Sequence, residues 1–199
     1  MQTRSKILKR LGLAQQSSTI VKLNRVSAPD ETLDGFVVAI GHKWVLVAPI
    51  ATGGFFDGYT VIRVREIARV RFDRSFQRRF SETRPEWPVN PPPGRPTPDL
   101  DSTRGMLRSF LAEGVLCALE RRNKPDLLWV GVPAELRRRW LYLLEVRSDA
   151  TWHAGPLGYR LRTITLVRTG DQYLRALAAV AGPAPVEDGS SWWSPPEQG

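Results

Sequence analysis

One cysteine, Cys117, and two histidines, His42 and His153, are all the thiol and imidazole ligands that 199 residues supply. A lone thiol excludes an intrachain disulfide, and two histidines without a cysteine partner make no zinc cage unless carboxylates from elsewhere complete it. A reducing, cytoplasmic setting is the expectation. Long apolar runs are also missing: nothing approaches the roughly eighteen apolar residues that a membrane helix requires. In the basic stretch Met1 to Leu13, the apolar Ile7, Leu8, Leu11 and Leu13 are interrupted by Lys9 and Arg10, so no continuous apolar core of a secretory signal forms.

Catalytic motifs are as scarce. There is no Gly-x-Ser-x-Gly elbow and no phosphate-cradling Gly-rich loop ending in Lys-Ser/Thr, and Gly53-Gly54 lacks a following helix pattern that would aim amides at an anion. His42 falls in a turn and His153 in a loop, neither in a ligand-spaced cluster. Cys117 sits in the apolar run Val115-Leu116-Cys117-Ala118-Leu119, where a thiol behaves as a small hydrophobe. No enzyme activity, no metal and no cofactor are expected.

Lysine is rare too, at five against 24 arginines, yet the net charge is +9. That charge divides into +4 over residues 1–18, +4 over 19–84, zero over 85–98, +4 over 99–181 and −3 over 182–199. The ordered regions are therefore only mildly basic. Seven prolines between residues 85 and 98 exclude helix and central strand, which marks a semi-extended linker. Packing onto a neighbouring module is the expectation for Trp87 within it.

The expected organisation is a basic tail (1–18), a first β module (19–84), the Pro-rich linker (85–98), a helix with a second β module (99–181) and a disordered acidic tail (182–199). In the first module, Gly35 to Ile40 and Trp44 to Ala48 read as a hairpin about Gly41-His42-Lys43. Tyr59 to Val64 and Ala68 to Phe72 alternate around a single-turn break at Arg65 to Ile67, with Arg63, Arg65, Arg69 and Arg71 on the wet side. Arg74 to Phe80 reads as a closing helix.

After the linker, Asp101 or Ser102 caps a helix to about Glu113 whose apolar face is Met106, Leu107, Phe110 and Leu111. Strands follow at Val115 to Glu120, Leu127 to Val132, Trp140 to Val146 and, as two strands, Leu157 to Arg168. A helix over Asp171 to Val180 presents Tyr173, Leu174, Leu177 and Val180 on one side. The halves superpose at an offset of 97 residues, where Ile67, Val70, Arg71 and Arg78 meet Ile164, Val167, Arg168 and Arg175. The fold class is mainly β with short helices, as two small SH3-like or Sm-like barrels joined by the linker.

The pattern Gly35-Phe-Val-Val-Ala-Ile, Trp44-Val-Leu-Val and Asp57-Gly-Tyr-Thr-Val-Ile-Arg-Val-Arg-Glu-Ile-Ala-Arg-Val resembles that of bacterial proteins built from tandem Sm-like or SH3-like β-barrel modules. The second half, through Gly170-Asp-Gln-Tyr-Leu-Arg-Ala-Leu, is similar to their C-terminal module. The resemblance covers most of residues 19–181 and implies a fold but no activity. The polar signature by which Sm-like rims hold uridine is not visible, and Val64 stands where an Arg-Gly pair would have its glycine.

Two functions remain. The first is a binding or adaptor protein acting through protein–protein contacts of its small modules, with Trp192 and Trp193 as a linear motif in the tail. The alternative is binding of RNA or another nucleic acid by Arg63, Arg65, Arg69 and Arg71, aided by an N-terminal arm bearing Lys6, Lys9 and Arg10.

Overall fold

The computed structural model describes residues 2–91 and 97–185. The described part of the expected tail, residues 2–18, is largely a helix, α1 (Arg4–Gln16), opened by Thr3, whose side chain accepts a hydrogen bond from the Lys6 amide. Ile7, Leu11 and Ala14 recur at a spacing of four and three and are buried, so the interruptions at Lys9 and Arg10 merely define the opposite, wet face.

Five strands follow: β1 (Ile20–Arg25), β2 (Thr32–Ile40), β3 (Trp44–Pro49), β4 (Tyr59–Arg63) and, after a 3-10 turn at Val64–Glu66, β5 (Ile67–Phe72). The short helix α2 (Gln77–Ser81) ends this half, with Phe76 left exposed rather than packed. Among the described residues of the proline-rich segment, Trp87 packs edge-on against Phe36 at 5.3 Å between ring centroids, in a small core with Ile20 and Ile50.

The second half opens with α3 (Thr103–Phe110), capped by Ser102 through the Gly105 amide at 2.9 Å and burying Met106, Leu107 and Phe110. It ends three residues before Glu113, because Leu111 is already extended. Then come β6 (Cys117–Arg121), β7 (Lys124–Leu136), β8 (Trp140–Glu145), β9 (Leu157–Arg160), a 3-10 turn at Leu161–Thr163, β10 (Ile164–Thr169) and α4 (Gln172–Ala181). The β6–β7 turn is tighter than expected, since Lys124 already pairs with Arg121. On α4 the buried residues are Leu174 and Leu177, while Tyr173 and Val180 face outward.

The strands form one open antiparallel sheet in the order β5-β1-β2-β3-β4-β10-β6-β7-β8-β9. The right-hand five repeat the left-hand five in the same order. The register repeats as well: Gly35 lies opposite Val21 and Pro49, and Gly131 lies opposite Cys117 and Glu145. A bulge between Val37 and Ala39 recurs between Pro133 and Glu135. Both 3-10 turns and both final strands start 97 residues apart, as the superposition expects.

What joins the halves was not expected. Instead of two sheets separated by the linker, β4 pairs with β10 directly, Val61 opposite Val167 and Ile62 opposite Leu166. The physical reason is that each five-stranded half has two unpaired edges, and this pairing satisfies one edge of each. The apolar core follows the sheet across the join: Trp44, Leu46 and Val61 pack with Leu119, Leu141, Leu143 and Val167 beneath α3. A second core lies under α1, with Val45, Ile62 and Leu166, and a third under α4, with Ala118, Val132 and Leu144.

Arg63 seals this join. It was expected on the wet face, yet it is only 7% exposed: its guanidinium donates to the Leu161 carbonyl at 2.7 Å and to the Ile164 carbonyl, and lies 4.6 Å from the Trp44 ring. Burial, with the nearby positive charges of Arg65 and Arg122, pulls its pKa down to about 10 against the attraction of Glu66, so the group stays charged at neutral pH. Two ion pairs flank it, Arg25 with Glu120 and Glu66 with Arg122, each linking one half to the other.

The repeat and the join make separate predictions. Arg63→Ala should lower unfolding free energy by about 3 kcal/mol, since two carbonyls lose their donor and a buried volume empties. Arg160→Ala, at the equivalent exposed position, should stay within about 0.5 kcal/mol; denaturant titration distinguishes them. A Cβ at Gly35 would sit 2.5 Å from the Ala48 carbonyl oxygen, and one at Gly131 would meet the Leu144 carbonyl oxygen as closely. Gly35→Ala and Gly131→Ala should each cost about 1–3 kcal/mol in the same titration, and by similar amounts.

Candidate functional site

Four arginines gather at one end of the sheet, where the β8 and β9 strands meet their turns. Arg138, Arg139, Trp140, Arg160, Leu161 and Arg162 line a surface cavity of about 560 Å³. Arg138 and Arg139 come from the turn between β7 and β8, Arg160 closes β9, and Arg162 stands in the 3-10 turn. Trp140 is half-buried, with the Arg160 guanidinium 5.0 Å from its ring. Among the described residues, none of these four arginines has a carboxylate within ion-pair distance, whereas the neighbouring Arg137 is taken up by Glu135 at 2.6 Å.

The same positions in the first half build a different surface. His42, Lys43, Arg63, Val64 and Arg65, with Arg4, line a cavity of about 190 Å³. Here Trp44 is fully buried, Arg63 is turned into the join, and Arg4 donates to the His42 carbonyl at 2.7 Å. The turn is also covered: the Leu100 carbonyl accepts from the amides of Lys43 and Trp44, and the Asp101 carboxylate from the amide of His42 at 2.7 Å. One repeat thus has its cationic end closed by the other, and among the described residues the second repeat has the equivalent end open.

The arginines singled out from sequence do not form one face. Arg63 is interior, Arg65 lies in the 3-10 turn beside Glu66 and donates to the Arg162 carbonyl at 3.3 Å, and only Arg69 and Arg71 project from β5 into solvent. The alternation that placed Arg63 and Arg65 outside breaks because β4 ends at Arg63. Lys6, Lys9 and Arg10 belong to α1; Lys6 and Lys9 are exposed, and Arg10 stacks 4.4 Å over Phe72. Trp192 and Trp193 lie outside the described residues. Sequence reasoning missed Arg138, Arg139, Trp140, Arg160 and Arg162. Extending the repeat backwards with the offset shortened by one residue, to 96, aligns Arg138-Arg139-Trp140 with His42-Lys43-Trp44.

Other candidate chemistry is quiet. Cys117 is buried, its Sγ 3.4 Å from the Gly131 carbonyl, and burial pushes the thiol up to about 12. Among the described residues no group of His, Cys, Asp and Glu is arranged to hold a metal ion, and no helix is long and apolar enough to cross a membrane. Comparison with protein-family models, with curated proteins and with solved structures found no match for this chain.

Proposed function

We propose that the chain is a cytoplasmic, non-enzymatic binding protein whose β8–β9 end takes a single-stranded nucleic acid. The observation that carries this is the set Arg138, Arg139, Arg160 and Arg162, without carboxylate partners among the described residues, around a half-buried tryptophan. Guanidinium forks match phosphate oxygens, and an indole face accepts a base of any identity, so the pair of chemistries suits a backbone-tracking, sequence-tolerant mode. The reading of each half as an SH3-like or Sm-like barrel is supported by the strand order and 3-10 turn they share. The N-terminal residues take less part, because α1 is packed on the sheet.

A second reading, an adaptor acting through protein contacts, is favoured by one observation: among the described residues β9 pairs on one side only, with β8, and so offers a main-chain edge to an extended segment.

Fluorescence anisotropy with a labelled single-stranded RNA tests the first reading. Affinity should fall steeply as salt rises, and Arg138→Ala, Arg139→Ala and Arg162→Ala together should flatten the slope of log K against log salt by about 2, at roughly 0.7 per phosphate contact. Arg69→Ala with Arg71→Ala should leave the slope unchanged. Equal losses from both sets of variants would contradict the assignment of the site.

A further inference from the structure

The two outer strands of the sheet are themselves the two halves of a join. In repeat terms β9 is the counterpart of β4, and β5 is the counterpart of β10, so the contact that fuses the halves internally has an unused copy split between the two ends of the molecule. Arg160 stands in β9 where Arg63 stands in β4, each over its tryptophan. Gly158 takes the place of Val61, and Val70 takes the place of Val167, the residue with which Val61 pairs.

One of these edges is occupied by the chain itself. Gln2 donates its backbone amide to the Ala68 carbonyl at 2.9 Å, its side-chain oxygen accepts from the Val70 amide at 3.0 Å, and its side-chain nitrogen approaches the Val70 carbonyl at 3.4 Å. A carboxamide carries a donor and an acceptor in the geometry of a peptide group, so Gln2 reproduces one residue of a pairing strand at the position that Val61 fills against Val167.

We propose that β5 and β9 form an intermolecular join between copies of this chain, built like β4–β10, and that Gln2 holds it closed. A second copy is the occupant because the internal join supplies the complement: β9 brings an arginine placed to reach the carbonyls of Val64 and Ile67, as Arg63 reaches those of Leu161 and Ile164. Head-to-tail pairing of this kind does not close at one contact, so release of Gln2 yields dimers and longer assemblies. Gln2 is a guard on an exposed edge, removable by displacing a few residues at the start of α1.

Sedimentation velocity over a wide concentration series tests this. Wild-type protein is expected at monomer mass throughout. Gln2→Pro, which removes the backbone donor and the carboxamide together, should shift the distribution to dimer and larger species as concentration rises. Adding Gly158→Pro, which removes a donor from the β9 edge, or Arg160→Glu, which leaves the β9 backbone intact, should return it to monomer. Circular dichroism and melting temperature identify any variant that fails to fold, and the two blocking changes act by different routes. A Gln2→Pro protein that stays monomeric at the highest concentration overturns the proposal. So does association that persists unchanged with both blocking variants, or wild-type protein already assembled at the lowest concentration.

Discussion

The pairing of β4 with β10 decides how the rest of this molecule is arranged. A five-stranded antiparallel sheet leaves unpaired amides and carbonyls on both outer strands, and duplicating it doubles the problem. Joining the copies edge to edge removes two of the four edges and lets one apolar core run from Trp44 and Val61 in the first half to Leu141 and Val167 in the second. It also breaks the equivalence of the repeats. Arg63 is driven inside, where carbonyls of the other half receive it, and Arg160 is left outside over Trp140. The candidate site is therefore what one repeat looks like when no described residue covers it.

Charges at the join act on register more than on stability. Arg25 and Glu120 are both nearly buried, and taking two ions out of water costs several kcal/mol, which their attraction only partly offsets. Their value lies in alignment. With Glu66 and Arg122 as the second pair, both bridges connect residues of opposite halves, and a one-residue slip of β4 along β10 would turn every side chain of the strand to the wrong face while separating both pairs. The Asp57 carboxylate adds a third tie by accepting from the Gln172 amide at 2.8 Å, fixing the start of α4 to the turn before β4.

Much of the local structure was legible in the residues. Turn chemistry at Gly41-His42-Lys43, the cap at Ser102, the apolar face of α3 and the single-turn break before Ile67 all depend on neighbours within a few positions, and each element forms close to where those signals place it. The repeat was legible because the final strand of each half keeps Ile, Val and Arg at fixed spacing. The join was not, because pairing between strands a hundred residues apart leaves no mark on either one alone: Tyr59-Thr-Val-Ile-Arg reads as a half-wet strand whether its edge meets water or β10. Arg63 was misplaced for that reason. A guanidinium is read as wet unless its acceptors are known, and those acceptors are backbone carbonyls, which carry no sequence signature. The N-terminal helix was missed because its buried stripe of Ile7, Leu11 and Ala14 is narrow and set among polar residues.

Native-state hydrogen exchange at the backbone amides of β4 and β10 around Val61 and Val167 tests the continuity of the sheet most directly. If the two halves form one cooperative unit, these amides exchange only through global unfolding, with the same denaturant dependence as amides in the interior of either half, such as those of Leu46 and Leu119. Exchange of the join through a lower-energy opening, while Leu46 and Leu119 stay protected, would mean that the halves are separate modules in contact and would contradict this account.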